Sequence, residues 1–217
     1  MTLENLVNYL PALFDGLIVT LTLTLVSAFL GVILGLFLAL GRLTKNKIIE
    51  KICWLYIWVF RGTPLLMQIV FFYYALPLLD NRLSLPKWPA AFLALSLNAA
   101  AYFAEIFRGG ILSIDKGQFE AASALGLSYA QTMRRIIIPQ AYRRLIPPMS
   151  NEFIALSKDT SLVSAIGMTD LLYATTQISN NNMLPLIFIP SAILYLVLTT
   201  LFTFVFEKIE KKYSAYE

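Results

Sequence analysis

Asn98, Tyr102 and Glu105 stand at positions i, i+4 and i+7 of an otherwise apolar run, WPAAFLALSLNAAAYFAEIF. On an α-helix, turning about 100° per residue, the three fall within about 60° of one another. An ionisable group at membrane depth is costly, so it needs a partner or a function. A second stripe carries Glu152, Leu156 and Asp159, with the two acids seven residues apart. Two such faces on consecutive crossings could enclose a watery cavity for a small polar solute. The same residues admit a structural network, in which Glu105 pairs with Arg108 or Arg61, Asp159 pairs with Lys158, and Asn98 and Tyr102 simply pack. Glu105, Glu152 and Asp159 against Arg61 and Lys158 would attract a basic amino acid such as arginine, lysine or histidine. A zwitterionic backbone needs one anionic and one cationic partner whatever the side chain.

Other chemistry is excluded early. The chain has no histidine and one cysteine, Cys53, so internal disulfides, zinc sites of the usual spacing and histidine acid–base catalysis fall away. No nucleophile–base cluster or metal-ligand set is present, which argues against a membrane-embedded enzyme. No G-x-x-x-x-G-K-[ST] phosphate loop occurs anywhere. The basic residues are explained by orientation and carry no nucleic-acid signature.

The elements that position these residues are membrane helices. Of 217 residues, 58% are hydrophobic and 14% charged, far from the balance of soluble domains. Five segments have the length and apolarity of crossings: Leu17 to Leu40, about Ile52 to Leu79, Trp88 to Phe107, from Ala141 or Leu145 to about Leu156, and Leu186 to Phe206. The whole chain, 1–217, reads as one transmembrane domain of all-α class. Arg61, Gly62 and Pro64 predict a kink in the second crossing. Trp54, Trp58 and Trp88 fit interface anchors. Asp170 to Asn182 reads as a loop or a partly dipping segment. Glu4 and Asp15, with no Lys or Arg before residue 17, argue against a cleavable leader. Thirteen of the 17 basic residues fall in the loops after crossings one and three and in the tail, so the N-terminus is expected outside and the C-terminus in the cytoplasm. No internal repeat is evident, which disfavours a self-sufficient secondary carrier.

Between crossings three and four, residues 117–139 change character. GQFEAASALGLS is small and alanine-rich. It predicts a short helix ended by Gly126, with Phe119, Ala122 and Leu125, or Ala121 and Leu125, as an apolar stripe. Ser128 then caps a second helix, and Pro139 predicts a break before the next crossing. Two turns of helix are unstable alone in water, so the segment must pack on lipid headgroups or on a partner.

EAASALGLSYAQTMRRIIIP resembles the EAA loop of ATP-binding-cassette importer permeases, carried by Glu120, Ala121, Ala122, Gly126, Ile136, Ile138 and Pro139; Ile138 stands where leucine is usual. RGTPLL at 61–66, AYFAEIFRGGILSIDKGQFEAA at 101–122 and LSKDTSLVSAIG at 156–167 resemble the polar amino acid uptake subfamily. The resemblance spans roughly residues 10–210. It implies a type I importer permease in the bacterial inner membrane, moving a polar, by charge a basic, amino acid by alternating access. Relatives that carry glutamine resemble this pattern too, so the side chain stays open. The resemblance further implies cytoplasmic ATPase subunits that hold ATP and Mg, an extracytoplasmic amino acid-binding protein, and a second permease copy, identical or paralogous. Surrounding lipid completes the partners. Glu120, Ala121, Ala122, Leu125 and Gly126 would couple to the ATPase. The rival reading is an ATPase-independent channel or carrier. Lacking a phosphate loop, the isolated chain is expected neither to bind nor to hydrolyse ATP; nucleotide titration of the purified chain checks this.

Overall fold

The computed structural model describes residues 7–214; Glu4 lies outside them. Among the described residues every regular element is helical. Helix α1, Leu10–Leu43, leads into α2, Lys47–Gly62. Asn46 starts α2, its Oδ1 accepting from the N–H groups of Ile48 and Ile49 at 3.0 and 3.3 Å, donors that a helix start otherwise leaves open.

After Gly62, Thr63 and Pro64 are extended, as a residue before proline prefers. The chain resumes as α3, Leu65–Val70, widens into a π turn at Phe71–Ala75 and closes as α4, Leu76–Leu79. The arms on either side of the break meet at 102°. The expected crossing from Ile52 to Leu79 is therefore two arms, which cannot both follow the membrane normal.

Helix α5, Lys87–Leu112, is the axle of the structure: 67% of its most apolar stretch is buried, against 17% for the final segment Pro185–Lys212. Its main neighbour is α1. Lipid supplies no hydrophobic drive between helices, so close packing must hold them. Small residues allow it: Ser27, Ala28, Gly31, Gly35 and Ala39 are buried on α1, facing Ala99, Ala100, Phe103 and Ala104 on α5. A Cβ on Gly35 would lie 2.7 Å from Phe103 Cβ and 2.9 Å from the Ala100 carbonyl oxygen.

Beyond α5 come α6, Lys116–Ala124, α7, Tyr129–Thr132, a π turn at Met133–Ile137, and α8, Ile138–Asp159. Pro139 does not break the chain. It occupies the first turn of α8, where a missing N–H costs little. The turn before it widens, so that the Ile138 N–H reaches the Met133 carbonyl. Helix α8 extends the expected fourth crossing in both directions, but it carries Arg143, Arg144, Glu152, Lys158 and Asp159. By length and hydropathy three helices among the described residues qualify as spans, or four with the bent pair. The expected count of five is not reached by that measure.

Asp170 to Asn182 is not a loop. Asp170 caps α9, Leu171–Asn182, its carboxylate accepting from Leu172 and Tyr173 N–H at 3.1 and 2.9 Å. Leu171 and Ile178 bury against Leu13, Leu184 and Ile187. At 12 residues α9 is too short to cross a bilayer. Helix α10, Phe188–Ser214, ends the described chain.

Gly35→Ala should destabilise the protein by about 1–3 kcal/mol, because its methyl meets backbone and Cβ atoms that cannot swing away. Gly109→Ala, which meets open space in α5, should be neutral or stabilising by up to about 1 kcal/mol. Thermal unfolding in detergent compares the two.

Candidate functional site: two clefts and a surface helix

In lipid, irregular backbone survives only where its polar groups are satisfied or face a cavity. Side chains answer for the break at Thr63–Pro64. Gln68 Nε2 donates to the Phe60 carbonyl at 2.9 Å, the Thr63 carbonyl at 3.2 Å and Thr63 Oγ1 at 2.8 Å. Asn98 Nδ2 donates to the same Phe60 carbonyl at 3.0 Å and to Gln68 Oε1 at 3.1 Å. Tyr56 adds a bond from its hydroxyl to the Leu97 carbonyl at 2.8 Å. Asn98 therefore braces the bend as well as lining the space beside it. Gln68 was not among the expected site residues, although it is the one amide in the apolar run LLMQIVFFYY.

Two clefts flank the break. The first, of about 460 Å³, is lined by Thr63 and Pro64 of the break, by Asn98 and Tyr102 of α5, by Glu152 and Asp159 of α8, and by Arg61. The second, of about 450 Å³, is lined by Arg42, Arg61, Tyr102, Glu105 and Arg108, with Trp54 and Trp58 at its wall. Arg61, Gly62 and Tyr102 belong to both. The two expected polar stripes thus do meet, with two exceptions. Leu156 is 2% exposed and packs in the core with Leu145 and Val163, so it lines neither cleft. Glu105 faces the second cleft, not the first, and is held by Arg108, which donates from Nε at 3.1 Å and from Nη2 at 2.6 Å. Asp159 makes no ion pair with Lys158 among the described residues. Glu152 and Asp159 share the first cleft without a basic residue in salt-bridge contact.

The surface helix α6 is built to stay on the outside. Asp115 caps its start, accepting from Gly117 N–H at 2.6 Å. At its end Gly126 takes φ +74°, with the Gly126 N–H on the Ser123 carbonyl and the Leu127 N–H on the Ala122 carbonyl, both at 3.0 Å. That paired closure needs a left-handed residue. Ser128 and Gln131 then form a reciprocal capping box at α7. Ala122 is buried and Phe119 half-buried, packed toward Ile114, Ile137 and Ala141. The expected stripe therefore divides: Ala122 faces inward, whereas Glu120, Ala121 and Gly126 are exposed and Leu125 is 79% exposed.

The inward face ties α6 to α5 and α8. Gln140 of α8 donates to Gln118 of α6 at 3.4 Å, while beside it α5 and α8 are joined by Arg144, which donates to the Ser113 carbonyl at the end of α5, and by Gly110, which lies against Leu145. Those same two helices carry Asn98, Tyr102, Glu105, Glu152 and Asp159.

Residues 31–215 match the family described as binding-protein-dependent transport system inner membrane component. The chain belongs to that family. It is 39% identical over 206 residues to the arginine transport system permease protein of Bacillus subtilis, covering 94% of this chain and 93% of that one. It is 37% identical over 204 residues to the glutamine transport system permease protein of Escherichia coli K12, covering 94% and 93%. Among solved structures, it superposes on a crystal structure of an amino acid ABC transporter with histidines at TM-score 0.90 and 38% identity, covering 98% of this chain and 99% of that chain. The inward-facing methionine ABC transporter, at 21% identity and TM-score 0.80 over 98% and 99% of the two chains, shares the fold. As a family member this chain is a multi-pass, all-α inner-membrane transport component and not an enzyme.

The bidentate hold of Arg108 on Glu105 makes a prediction about the third expected acid. Glu105→Gln should cost about 1 kcal/mol or less of stability, given how much of the pair is exposed, and should reduce uptake of arginine and glutamine alike. Melting temperature measured alongside both uptakes checks it; a loss confined to arginine would place Glu105 on the solute's path instead.

Proposed function

We propose that this permease subunit moves a polar amino acid, with a preference for a basic side chain, through the first cleft in an ATP-driven importer. One observation carries the reading: Glu152 and Asp159 share a cleft with Arg61, and none of the three forms an ion pair among the described residues. The arrangement offers anions to an ammonium or guanidinium group and a cation to a carboxylate. In a partly desolvated cleft such attractions are stronger than in water. Relatives named for arginine, L-cystine and glutamine transport support an amino acid as the class of solute. Asn98 and Tyr102 shape the same wall.

The driving force comes from outside the chain. Cytoplasmic ATP-binding-cassette subunits carry the ATP and Mg, an extracytoplasmic amino acid-binding protein delivers the solute, and a second permease copy completes the pathway. The N-terminus lies outside and the C-terminus in the cytoplasm, which puts α6 on the ATPase side. There, Glu120, Ala121, Leu125 and Gly126 form the contact, and Ala122 anchors the helix from beneath. Closure of the ATPases shifts α6, and α5 and α8 follow, opening the cleft alternately to each side.

The test is a scan of amino acids for stimulated ATPase activity in the reconstituted complex, with arginine expected among the strongest. Glu120→Lys and Gly126→Val probe the contact. A valine at Gly126 meets open space, so its effect is backbone strain of about 1–2 kcal/mol in the left-handed region. Both variants should lower uptake and ATPase stimulation while membrane insertion is kept; normal uptake in both would return the segment to a plain interfacial helix.

A further inference from the structure

The two clefts differ in charge, and one contact divides them. The first holds Glu152 and Asp159 against Arg61; the second holds Arg61 beside two arginines that already have acid partners, Arg42 with Glu50 at 3.5 Å and Arg108 with Glu105 at 2.6 Å. At the shared wall the Arg61 guanidinium sits 5.2 Å from the centroid of the Tyr102 ring. Arg61 forms no ion pair among the described residues, although acids line both clefts. A cation over an aromatic face is attracted by the ring quadrupole, but weakly enough to be displaced. Space lies open beside it: a Cβ on neighbouring Gly62 would meet nothing within 4 Å, and the 102° break follows at once.

We infer that Arg61 and Tyr102 form a latch between two clefts of unlike charge, and that the closed latch blocks passive leak between them. The inference rests on the proposed solute path. With the latch closed, a basic amino acid held by Glu152 and Asp159 faces a guanidinium that bars the second cleft. When the Arg61 side chain swings off the Tyr102 ring, the wall parts, while the backbone on either side stays held by Asn98 on the Phe60 carbonyl. Past it, the solute enters a cleft whose one lining acid, Glu105, is already held by Arg108, so that cleft offers a cation no free anion. Arg61 acts as a gating residue: it separates two spaces, and it sets which of them a cation prefers.

The experiment is passive efflux of radiolabelled arginine from proteoliposomes holding the complete transporter without ATP, beside ATP-driven uptake of arginine and glutamine. Arg61→Gln and Tyr102→Leu each remove the latch and should raise the leak by about 2- to 30-fold, the range a cation–π contact spans. Tyr102→Phe keeps the ring and should hold the leak at the wild-type level, whatever it does to uptake. Arg61→Lys keeps a cation and should leak less than Arg61→Gln. A purely structural role would lower assembly and uptake without this ring-dependent pattern. Wild-type leak in both Arg61→Gln and Tyr102→Leu, or equal leak in Tyr102→Phe and Tyr102→Leu, overturns the latch; should either of the first two variants fail to assemble, the comparison of Arg61→Lys and Tyr102→Phe with wild type decides. Failure of the wild-type transporter to take up arginine or glutamine with ATP counts instead against the proposed solute class.

Discussion

A helix broken inside a membrane must find new partners for the backbone groups it releases, and much of this structure follows from how that is done. The extended Thr63–Pro64 step frees carbonyls that lipid cannot satisfy. Gln68, from the arm after the break, and Asn98, from α5, take the Phe60 carbonyl between them. That joint hold keeps the two arms at 102° and fastens the bend to the most buried helix. It also determines where the clefts lie, since both open beside residues 61 and 62. Loss of both amides would leave the Phe60 carbonyl wanting a donor, a deficit of about 1–3 kcal/mol.

The second requirement is transmission. A push on α6 can reach the clefts only if the intervening parts do not yield. The cluster of Ile114, Ile137 and Ala141, with Phe119 leaning on it, seats α6 on the junction of α5 and α8. From Ile138 to Glu152, α8 carries that push about 21 Å at 1.5 Å per residue. The close approach of α1 and α5 through Gly31 and Gly35 gives the moving parts a dense surface to bear on. Two π turns, at Phe71–Ala75 and Met133–Ile137, are the places where regular hydrogen bonding relaxes. Both lie between the rigid pieces and not within the Asn98–Glu105 stretch.

Much of this was legible in the sequence, for identifiable reasons. The polar stripe on α5 obeyed helical periodicity, and its partner acids on α8 met it across a cleft. Gly126 and Ser128 declared a helix end and a helix start, and both caps formed. Leu156 misled because spacing alone put it on the acidic stripe, whereas a leucine there finds the core. Ala122 is small enough to admit a partner's surface, yet the helix turns it inward, where it is 1% exposed. Asp170 looked like part of a polar loop, but its carboxylate is what starts α9. Pro139 carried a break signal that a first-turn position and a widened preceding turn absorb. The Gly31-x-x-x-Gly35 spacing was readable as a helix-packing signal and stood unused inside a long apolar run. The 102° angle could not be read, because proline and glycine announce a bend without giving its size.

The central claim is that the surface helix and the cleft-lining end of α8 move as one piece. The direct test is the distance between spin labels at Ala124 and Lys158, both exposed, within a single permease chain of the assembled transporter, measured with and without a non-hydrolysable ATP analogue. The account predicts an unchanged intrachain distribution while the distance between the two copies' Ala124 positions shifts. An intrachain distance that changes on nucleotide binding, with the interchain distance constant, would mean that α6 moves independently of α8 and would contradict it.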